Sequence, residues 1–500
     1  MASPLFLTKS VDEIRADVAG EHHQLKRSLG GLDLVMLGIG AIIGTGIFVL
    51  TGHAAAANAG PAVALSFVIA GVASAFAGLC YAEMASMIPI AGSAYTYAYA
   101  TMGELIAWII GWDLILEYMV GAATVSVGWS GYVVAFLHDE LGVELPAGFT
   151  HAPFAWSDTA HAFTSTGAVV NLPAVLITLL VTGILVIGVK ESARFNAVIV
   201  FAKVVVVCLF VVFAAPLVRT SNWHPFIPDN TGQFGHFGVS GVFQGATKVF
   251  FAYIGFDAVS TAAQEARAPQ RDLPRGILGS LAICTVLYIA VSLVLTGVVD
   301  YHLLNVPHPI AVGTEATGYR WLTTAVEIGA IAGLSSVMLV LLLGQPRIFY
   351  SMAHDGLFPE VATRVHPRFG TPHVTTILSG VICAVAGGVL PLDILGELTS
   401  IGTLFAFVLV SIGVMLLRLR RPDIPRAFQV PGGPYVVPIC GAISSGLLMY
   451  TADTYTIIRL FGWMAIGLVV YSLYGRKHSL LRKKSAQLSS GLPANSVSRG

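Results

Sequence analysis

Runs of about 20 predominantly apolar residues, the length that a helix needs to cross a bilayer, follow one another along almost the whole chain. Twelve such runs are found, near residues 32–52, 62–86, 104–137, 169–188, 195–218, 239–262, 274–299, 321–350, 374–391, 394–417, 435–453 and 456–475. Only 11% of the 500 residues are charged, which leaves too little polar surface for a soluble globule of this size. The sequence therefore predicts an all-α polytopic membrane protein with twelve transmembrane helices.

Lysine and arginine residues are distributed unevenly between the two sets of loops that these helices would leave. Loops on the cytoplasmic side of a membrane protein carry an excess of both residue types. If both termini are inside, only Arg219, Arg320 and Arg459 of the 27 lysines and arginines fall in outer segments. We therefore expect both termini to be cytoplasmic, with an arm at residues 1–31 and a tail at residues 476–500.

The charge balance and the spacing of potential ligands exclude several classes of function. A formal net charge of +0 argues against a nucleic-acid partner, and we interpret the basic residues 476–484 as a topology anchor beside membrane lipid. Neither the five cysteines nor the fourteen histidines show metal-ligand spacing, so we expect no metal and no cofactor. A membrane-embedded enzyme or a channel is disfavoured, because no nucleophile with a base, ring of like charge or filter motif is visible.

Glycine is concentrated in the first apolar run, where the sequence from Gly38 to Phe48 reads GIGAIIGTGIF. Glycine costs about 1 kcal/mol relative to alanine inside a helix, and a broken backbone is tolerated in lipid only where it lines a cavity or is buried in protein. We expect the helix to stop near Ile42 and to restart after Gly46, presenting free N–H groups and a positive dipole end to a carboxylate. The alternative is that a GxxxG pair in this run only allows close helix packing. A dinucleotide fingerprint is excluded because the run is not preceded by a strand.

The sixth apolar run contains a second irregular stretch, in which Gly255 and Asp257 follow an aromatic sequence. A break there would free carbonyl oxygens near Phe251, Ala252 and Ile254, and these can accept hydrogen bonds from an ammonium group. A site for an anion beside a site for a cation fits an α-amino acid.

Matching interruptions in two halves of a membrane chain are the best sequence indication of a transporter that is built from inverted repeats. Within a transporter domain at residues 32–475, the halves would be residues 32–218 and residues 239–417. Two extra helices would then follow at residues 435–475. This prediction depends on the positions of the two breaks.

Charged side chains within the apolar runs are functional candidates, because each costs about 3 kcal/mol at the centre of a bilayer. Lys203 lies in the middle of the fifth run, and a buried amine that exchanges a proton can couple transport to a proton gradient. The alternative is a lysine that is bonded permanently to carbonyl groups. Asp113 and Glu117 lie one helical turn apart in the third run, where Glu117 can bind a cation, relay a proton or accept a bond from a neighbouring helix. The sequence assigns no role to Lys248, and Phe251 is a candidate gate.

Four segments carry combined motifs of high specificity. They are GIGAIIGTGIFVLTG at Gly38–Gly52, YAEMASMIPIAGSAYTYAYATMGE at Tyr81–Glu104, WDLILEY at Trp112–Tyr118 and FFAYIGFDAVSTAAQEARAPQRDLPRGI at Phe250–Ile277. They resemble the amino acid, polyamine and organocation transporter superfamily, and within it the bacterial relatives of the cationic amino acid transporters. The resemblance implies a LeuT-like fold of two inverted five-helix repeats, with helices 1 and 6 unwound and two further C-terminal helices, that works by alternating access.

The same resemblance implies roles for individual residues. It places the substrate site on Ile42, Gly44, Thr45, Gly46, Phe251, Ala252 and Ile254. Phe251 resembles the outer-gate aromatic residue of the family, and Glu117 matches the acid of the third helix in the cationic branch. Lys203 matches the lysine of proton-coupled members and stands where sodium-coupled relatives of the fold hold an ion.

We therefore expect a secondary active amino acid permease of the bacterial inner membrane, which carries α-amino acids together with protons. An exchanger or a facilitative uniporter, including one for cationic amino acids, is the alternative. The eighth run reads SSVMLVLLL at residues 335–343 and contains no acid, which favours neutral substrates such as alanine over arginine. Partners beyond the substrate and membrane lipid, such as a small membrane subunit, stay open.

Overall fold

The computed structural model describes residues 7–9, 29–88, 93–157, 162–188, 193–261 and 266–489, and most of these residues are helical. The α-helices are α1 (Gly31–Ile42), α2 (Thr51–Ala54), α3 (Val63–Met87), α4 (Ser93–Thr101), α5 (Glu104–Ile115), α6 (Gly121–Leu141), α7 (Leu172–Ile187), α8 (Ala193–Ala214), α9 (Gly238–Val249), α10 (Ala258–Thr261), α11 (Pro269–Val298), α12 (Pro309–Glu315), α13 (Arg320–His354), α14 (His373–Val389), α15 (Leu392–Arg420), α16 (Val436–Tyr450), α17 (Thr454–Val470), α18 (Arg476–His478) and α19 (Leu480–Ser489). Most of the predicted N-terminal arm, residues 490–500 of the tail and the inner-loop residue Lys190 lie outside the described residues.

Shorter helical turns extend or join these helices. The π-helical stretches are Gly46–Leu50, Ala55–Ala59, Leu116–Val120 and Tyr471–Gly475. The 3₁₀ turns are Gly60–Ala62, Ala147–Phe149, Ala215–Leu217, Thr220–Trp223, Phe250–Tyr253, Tyr301–Leu304 and Glu360–Thr363.

The lengths and composition of the helices confirm an all-α polytopic membrane protein. Within the described ranges, seven helical stretches are long and apolar enough to cross a membrane: Gly46–Met87, Glu104–Leu141, Ala197–Leu217, Pro269–Val298, Arg320–His354, Leu392–Arg420 and Thr454–His478. Four shorter apolar helices accompany them, namely α1, α7, α14 and α16. Eleven of the twelve predicted apolar runs overlap one or more of these helices. The sixth run corresponds instead to α9 and the interrupted segment after it, and the number of crossings stays a prediction.

A small antiparallel hairpin departs from the all-helical expectation. β1 (Phe154–Ser157) pairs with β2 (Ala162–Ser165) in the segment between α6 and α7. Trp156 of β1 contacts the Tyr455 ring, and the Arg459 guanidinium lies 4.5 Å from the centre of the Trp156 ring. Aromatic and cation–π contacts of this kind hold the hairpin against the start of α17.

Helices from the two halves of the chain pack against each other. α3 runs along α11, α6 along α13 and α7 along α14, while α1 packs against α8 and α11. Small residues allow the close approach of α1 to α11: a Cβ on Gly38 would lie 2.5 Å from Ser280 Oγ, and one on Gly276 would lie 2.8 Å from Leu34 Cβ. Close helix packing is therefore the role of Gly38, whereas the later glycines of the first run lie at the break described below.

The described parts of both termini meet at one end of the helix bundle, which we call the termini end. There Lys9 Nζ lies 2.9 Å from Asp355 Oδ1, and Arg482 Nε donates to Glu104 Oε1 at 2.7 Å. Glu104 is fully buried although it belongs to the first turn of α5. We call the opposite end, which carries β1 and β2, the hairpin end.

Candidate functional site

The first helix is interrupted where the glycine-rich sequence predicts a break. α1 ends at Ile42, and Ile43 has an extended backbone with φ −72° and ψ 99°. Helical geometry resumes in the buried π-helical stretch Gly46–Leu50. Because the chain leaves the helix at Ile43, carbonyl groups at the end of α1 and N–H groups at the restart lose partners within a helix.

A second interruption lies in the sixth run, again where it is predicted. α9 passes into the 3₁₀ turn Phe250–Tyr253, and Ile254 is extended with ψ 138°. Gly255 follows with φ 110°, and a Cβ at this position would lie 2.9 Å from the carbonyl oxygen of Ala41. Glycine alone fits such a backbone without strain. The second break therefore lies directly against the end of α1.

The two breaks touch each other at Gly46 and Ala252. A Cβ on Gly46 would overlap the backbone of Ala252, so the absence of a side chain lets the two interrupted helices meet. Gly44 faces α13 instead, because a Cβ there would lie 3.1 Å from Val337 Cγ2. An apolar side chain thus covers the backbone at Gly44.

Tyr288 of α11 joins the two breaks through its hydroxyl group. The hydroxyl oxygen lies 3.0 Å from the carbonyl oxygen of Ile42 and 2.8 Å from that of Ala252. A tyrosine hydroxyl has one hydrogen to donate, so it satisfies only one of these carbonyl groups at a time. The two carbonyl groups share a single donor. They can therefore accept further hydrogen bonds from a group that carries more hydrogens, such as an ammonium group.

Lys203 reaches the first break from α8. Its side chain is fully buried, and Nζ donates to the carbonyl oxygens of Gly40 at 2.5 Å and Ile43 at 2.9 Å. A third hydrogen bond goes to Ser336 Oγ at 3.3 Å. These bonds use all three hydrogens of a charged amine. The geometry is compatible with a permanent structural contact and with a proton carrier, and both stay predictions.

The remaining residues of the predicted substrate site lie at or beside the breaks. Thr45 Oγ1 is buried and has no hydrogen-bond partner in the part of the chain that the structure describes. The side chains of Phe251 and Ile254 are buried. The Phe251 carbonyl accepts a hydrogen bond from Ile254 N at 3.1 Å, so it is occupied within the turn. The gate role of Phe251 stays a prediction.

Glu117 lies in the π-helical stretch between α5 and α6 and is buried next to the second break. Its carboxyl group faces that of Asp257. Tyr118 Oη donates to Asp257 Oδ2 at 2.8 Å. Asp113 is also buried, and neither of its carboxyl oxygens has a hydrogen-bond partner among the described residues. We call Asp113, Glu117 and Asp257 the carboxyl cluster, which lies on the termini-end side of the breaks.

Lys248, to which the sequence assigns no role, has acidic neighbours on the hairpin-end side of the breaks. Its Nζ lies 3.4 Å from Glu397 Oε1 of α15, and Thr456 Oγ1 donates to Glu397 Oε2 at 2.6 Å. His53 Nδ1 lies 3.2 Å from Asp393 Oδ1, also on α15. These contacts link the chain around both breaks to α15.

Two residues at the breaks have no role that sequence reasoning could assign. Tyr288 is a single aromatic residue in an apolar run, and such a residue is most often only a packing residue. Asp257 is visible as an acid after Gly255, but its contact with Glu117 depends on how two distant helices pack. The polar character of both side chains in membrane spans is the one signal that could have drawn attention to them.

A bundle of apolar helices with two interrupted helices that meet at its centre defines a polytopic membrane protein of the transporter type. The chain belongs to the amino acid permease family, whose profile matches residues 29–470. The matched region includes both breaks, Lys203 and the carboxyl cluster. This result confirms the superfamily that the sequence motifs indicate.

Three relatives are similar to the chain over most of its length. The branched-chain amino acid permease BcaP of Bacillus subtilis is 48% identical over 97% of this chain and 100% of the relative. The methylthioribose transporter of Bacillus subtilis is 45% identical over 96% of this chain and 100% of the relative. The vacuolar cationic amino acid transporter 4 of Arabidopsis thaliana is 38% identical over 83% of this chain and 67% of the relative.

Proposed function

We propose that the chain is a secondary active transporter that carries α-amino acids together with protons by alternating access. One observation carries the proposal: two helices are interrupted, and their interrupted backbones are in contact at Gly46 and Ala252. In a membrane, free backbone groups are tolerated where they are buried in protein or line a substrate pathway. Discontinuous helices that meet near the midplane form the substrate site in many transporters.

The proposed site binds both ends of an α-amino acid through the backbone. The N–H groups of Gly44, Thr45 and Gly46 face the carboxylate, supported by the positive end of the restarting helix. The carbonyl groups of Ile42 and Ala252 face the ammonium group. In this structure the Tyr288 hydroxyl lies within hydrogen-bonding distance of both carbonyls but has one hydrogen to donate. The substrate ammonium group, with three hydrogens, competes with it for these carbonyls. Ile254 and Phe251 complete the site, with Phe251 as its gate.

The proposed fold has twelve crossings in two inverted five-helix repeats, followed by two further helices. In the numbering of the predicted runs, the second, third and fourth pack against the seventh, eighth and ninth, and the break in the first contacts that in the sixth. A two-fold relation between the repeats would bring equivalent helices together in this way. The excess of lysine and arginine supports a cytoplasmic location for the termini end in the inner membrane.

Lys203 is the proposed site of proton coupling. The amine is the donor to two carbonyl groups at the end of α1, so loss of its proton would remove a hydrogen bond from the first break. A lysine that alternates between charged and neutral forms can therefore bias the position of α1. If Lys203 keeps its proton throughout, the protein would instead be an exchanger or a uniporter.

Neutral amino acids are the proposed substrate class. Val337 covers the backbone at Gly44 with an apolar side chain, and the neighbouring residues of α13 are mainly apolar. A relative of nearly equal length is named as a branched-chain amino acid permease, which agrees with an apolar environment for the side chain. Cationic amino acids stay the alternative, because a relative is named as a cationic amino acid transporter and the carboxyl cluster lies nearby.

Transport by the purified protein in sealed lipid vesicles tests the proposal. Uptake of labelled alanine and leucine should rise when an inward proton gradient is imposed, and excess unlabelled leucine should compete more strongly than arginine. A Gly44→Val variant, with the backbone site blocked, is the matched negative control. Uptake that ignores the gradient but requires internal amino acid would establish exchange instead. Competition by methylthioribose alone would replace the amino acid with the substrate class named for the second relative.

A further inference from the structure

A histidine and an acid join the first interrupted helix to α15 at the hairpin end. His53 lies in α2, seven residues beyond Gly46 in the chain, and its Nδ1 lies 3.2 Å from Asp393 Oδ1. Asp393 belongs to the first turn of α15. Any motion that opens the hairpin end between these two elements must therefore separate His53 from Asp393.

The two members of this pair differ in their access to water. The side chain of His53 is 12% exposed, whereas that of Asp393 is 48% exposed. Both ring nitrogens of His53 are buried, and neither forms a hydrogen bond of good geometry within the part of the chain that the structure describes. An unsatisfied buried polar group of this kind points to a bound water, an ion or a functional role. The structure thus places a protected imidazole beside a carboxylate that water reaches.

The strength of this contact depends on the charge of the imidazole. Histidine is the side chain whose charge ordinarily changes between about pH 5 and pH 8. An imidazolium carries an N–H donor on both nitrogens, and its positive charge attracts a carboxylate. A neutral imidazole has one N–H and no net charge. The attraction between His53 and Asp393 is therefore present at low pH and is lost as the pH rises.

The contact between Lys248 and Glu397 lies beside this pair and has the same arrangement. Glu397 follows Asp393 by four residues, so the two acids lie on one face of α15. Lys248 comes from α9, in the second interrupted helix, and its Nζ lies 3.4 Å from Glu397 Oε1. A lysine ordinarily keeps its charge over the range in which a histidine loses it. α15 therefore receives one base from each interrupted helix, and of these two bases His53 is the one that responds to pH.

We infer that His53 and Asp393 form a proton-binding site that faces the outside of the cell, and that a proton bound there holds the hairpin end closed. Hydronium in the outer water gives its proton to the neutral imidazole and becomes water, and the imidazolium then pairs with the Asp393 carboxylate. Return of the proton to the outer water weakens the closure. The inference rests on the proposed function in placing the hairpin end outside, and this site is separate from the proton coupling that is assigned to Lys203.

Other ionisable groups lie on the elements around this pair. Apart from the adjoining π-helical stretches, α2 packs against α9, α12 and the 3₁₀ turn Tyr301–Leu304, and the acids of α15 also face the start of α17. The ionisable residues on or next to these elements are Lys248, Tyr301, His302, His308, Glu315, Glu397, Asp453, Tyr455 and Arg459.

The sign of the pH response separates His53 from these groups. Protonation of an acid on α15 would remove an attraction, so it would weaken the closure at low pH, whereas protonation of His53 strengthens it. Among the other histidines, His302 pairs with Asp300 at 2.8 Å. Burial lowers the pKa of His308 and favours its neutral form. A closure that strengthens at low pH is therefore assigned to His53.

Substitutions at position 53 separate a proton site from a structural contact. His53→Gln can donate a hydrogen bond but never carries a charge, so it should leave the hairpin end more open at every pH. His53→Lys carries a charge throughout the range and should hold that end closed at every pH. Asp393→Asn removes the attraction from the other side and should resemble His53→Gln. A purely structural hydrogen bond would instead give a glutamine variant that behaves as the unchanged protein does.

Accessibility of a cysteine placed at Leu50 measures the opening. Leu50 is 3% exposed, and a Cβ on Gly396 of α15 would lie 3.4 Å from Leu50 Cδ1, so this side chain lies between the two elements that the pair joins. The parent for this experiment carries Leu50→Cys, and its five free cysteines are replaced by alanine. Intact cells are labelled from outside with a membrane-impermeant thiol reagent, and labelling after permeabilisation gives the total.

The labelling rate of the parent, corrected for the reactivity of free cysteine, should rise about threefold to fivefold as the external pH is raised from about 5.5 to 8. This is the size expected for a partly exposed ion pair whose base loses its charge. Hydrogen exchange of residues 46–59 in the purified chain with its native cysteines, corrected for the intrinsic pH dependence of exchange, gives an independent measure.

The expected result is a pH-dependent rate in the parent, a high and flat rate for His53→Gln and Asp393→Asn, and a low and flat rate for His53→Lys. His302→Gln is the matched control, because His302 and Asp300 form the same kind of pair but are 62% and 59% exposed and lie outside both interrupted helices. It should keep the parental pH response.

The parental response in His53→Gln, or its loss in His302→Gln, would overturn the inference even if alanine transport succeeds. Labelling that appears only after permeabilisation, at every pH, would overturn it as well. Conversely, the predicted labelling pattern without amino acid transport would retain the proton site and reject the proposed function.

Discussion

Two glycines at the first break differ in what a new side chain would meet. At Gly46 a Cβ overlaps the backbone of Ala252, which cannot move aside without separating the two breaks. At Gly44 the nearest atom, 3.1 Å away, belongs to the rotatable side chain of Val337. A methyl group is therefore tolerated better at Gly44 than at Gly46, and a branched side chain is tolerated at neither.

We predict that Gly46→Ala abolishes substrate binding, whereas Gly44→Ala only weakens it and Gly44→Val abolishes it. Thermal shift of the purified protein with alanine or leucine measures the loss. Gly183→Ala in α7 is the control, because a Cβ there meets nothing within 4 Å and alanine gains about 1 kcal/mol of helix propensity. Equal binding by the Gly46→Ala variant and the parent would show that the contact between the breaks does not form the site.

At the position of Lys203, we predict that Lys203→Met makes uptake insensitive to an imposed proton gradient. The substitution removes the amine that is bonded to the end of α1, and it leaves two carbonyls and one hydroxyl without this donor. Loss of a buried hydrogen-bond partner costs about 1–3 kcal/mol, so the melting temperature should also fall. Lys248→Met, at the other lysine within a span, should retain the response to the gradient. If the Lys203→Met variant still accumulates alanine in response to an inward proton gradient, proton coupling would be assigned to the carboxyl cluster instead of Lys203.

Among the structural elements, α15 fastens both interrupted helices at the hairpin end. Lys248 and Glu397 have side chains that are 18% and 17% exposed, so their attraction is screened less than that of a surface pair. We predict that Lys248→Met and Glu397→Gln each lower the melting temperature. The free energy of unfolding lost in the double variant should be about 1 kcal/mol smaller than the sum of the losses in the two single variants.

The exchange of the two charges is the sharper test of this contact. Lys248→Glu combined with Glu397→Lys should recover most of the stability that either single reversal loses, because the attraction is restored. Thr456 donates to Glu397 and cannot do so to a lysine, so recovery should be incomplete. Strictly additive losses would mean that the two charges do not interact in solution.

The sequence predicts the breaks and not their contacts, for a physical reason. Glycine preference and the need to satisfy backbone groups in lipid are local, so GIGAIIGTGIF identifies a stop at Ile42 and a restart at Gly46 without further information. The hydroxyl of Tyr288 and the carboxylate of Glu397 reach their partners only after distant helices pack. The hairpin of β1 and β2 is not predicted from the sequence, because its four-residue strands are short and are held by contacts with the distant residues Tyr455 and Arg459.

For the molecule as a whole, the termini act as part of the fold. Glu104 is fully buried and receives hydrogen bonds from Tyr471, Ser479 and Arg482, all from the C-terminal part of the chain. Asp355 at the end of α13 accepts from Lys9, and its carbonyl accepts from Leu480 N at 3.1 Å. The C-terminal helix α19 therefore closes the same end of the bundle as the described N-terminal residues.

We predict that deletion of residues 479–500 lowers the melting temperature and raises protease sensitivity at the termini end. The deletion leaves Glu104 as a buried carboxylate without its arginine, a loss that typically costs about 3–5 kcal/mol. Deletion of residues 490–500 alone is the control, because it keeps Ser479 and Arg482. Glu104→Gln introduced into the longer deletion should restore part of the stability, since a neutral amide needs no counter-charge. If both deletions melt at the parental temperature, the buried ion pair contributes nothing to holding that end closed.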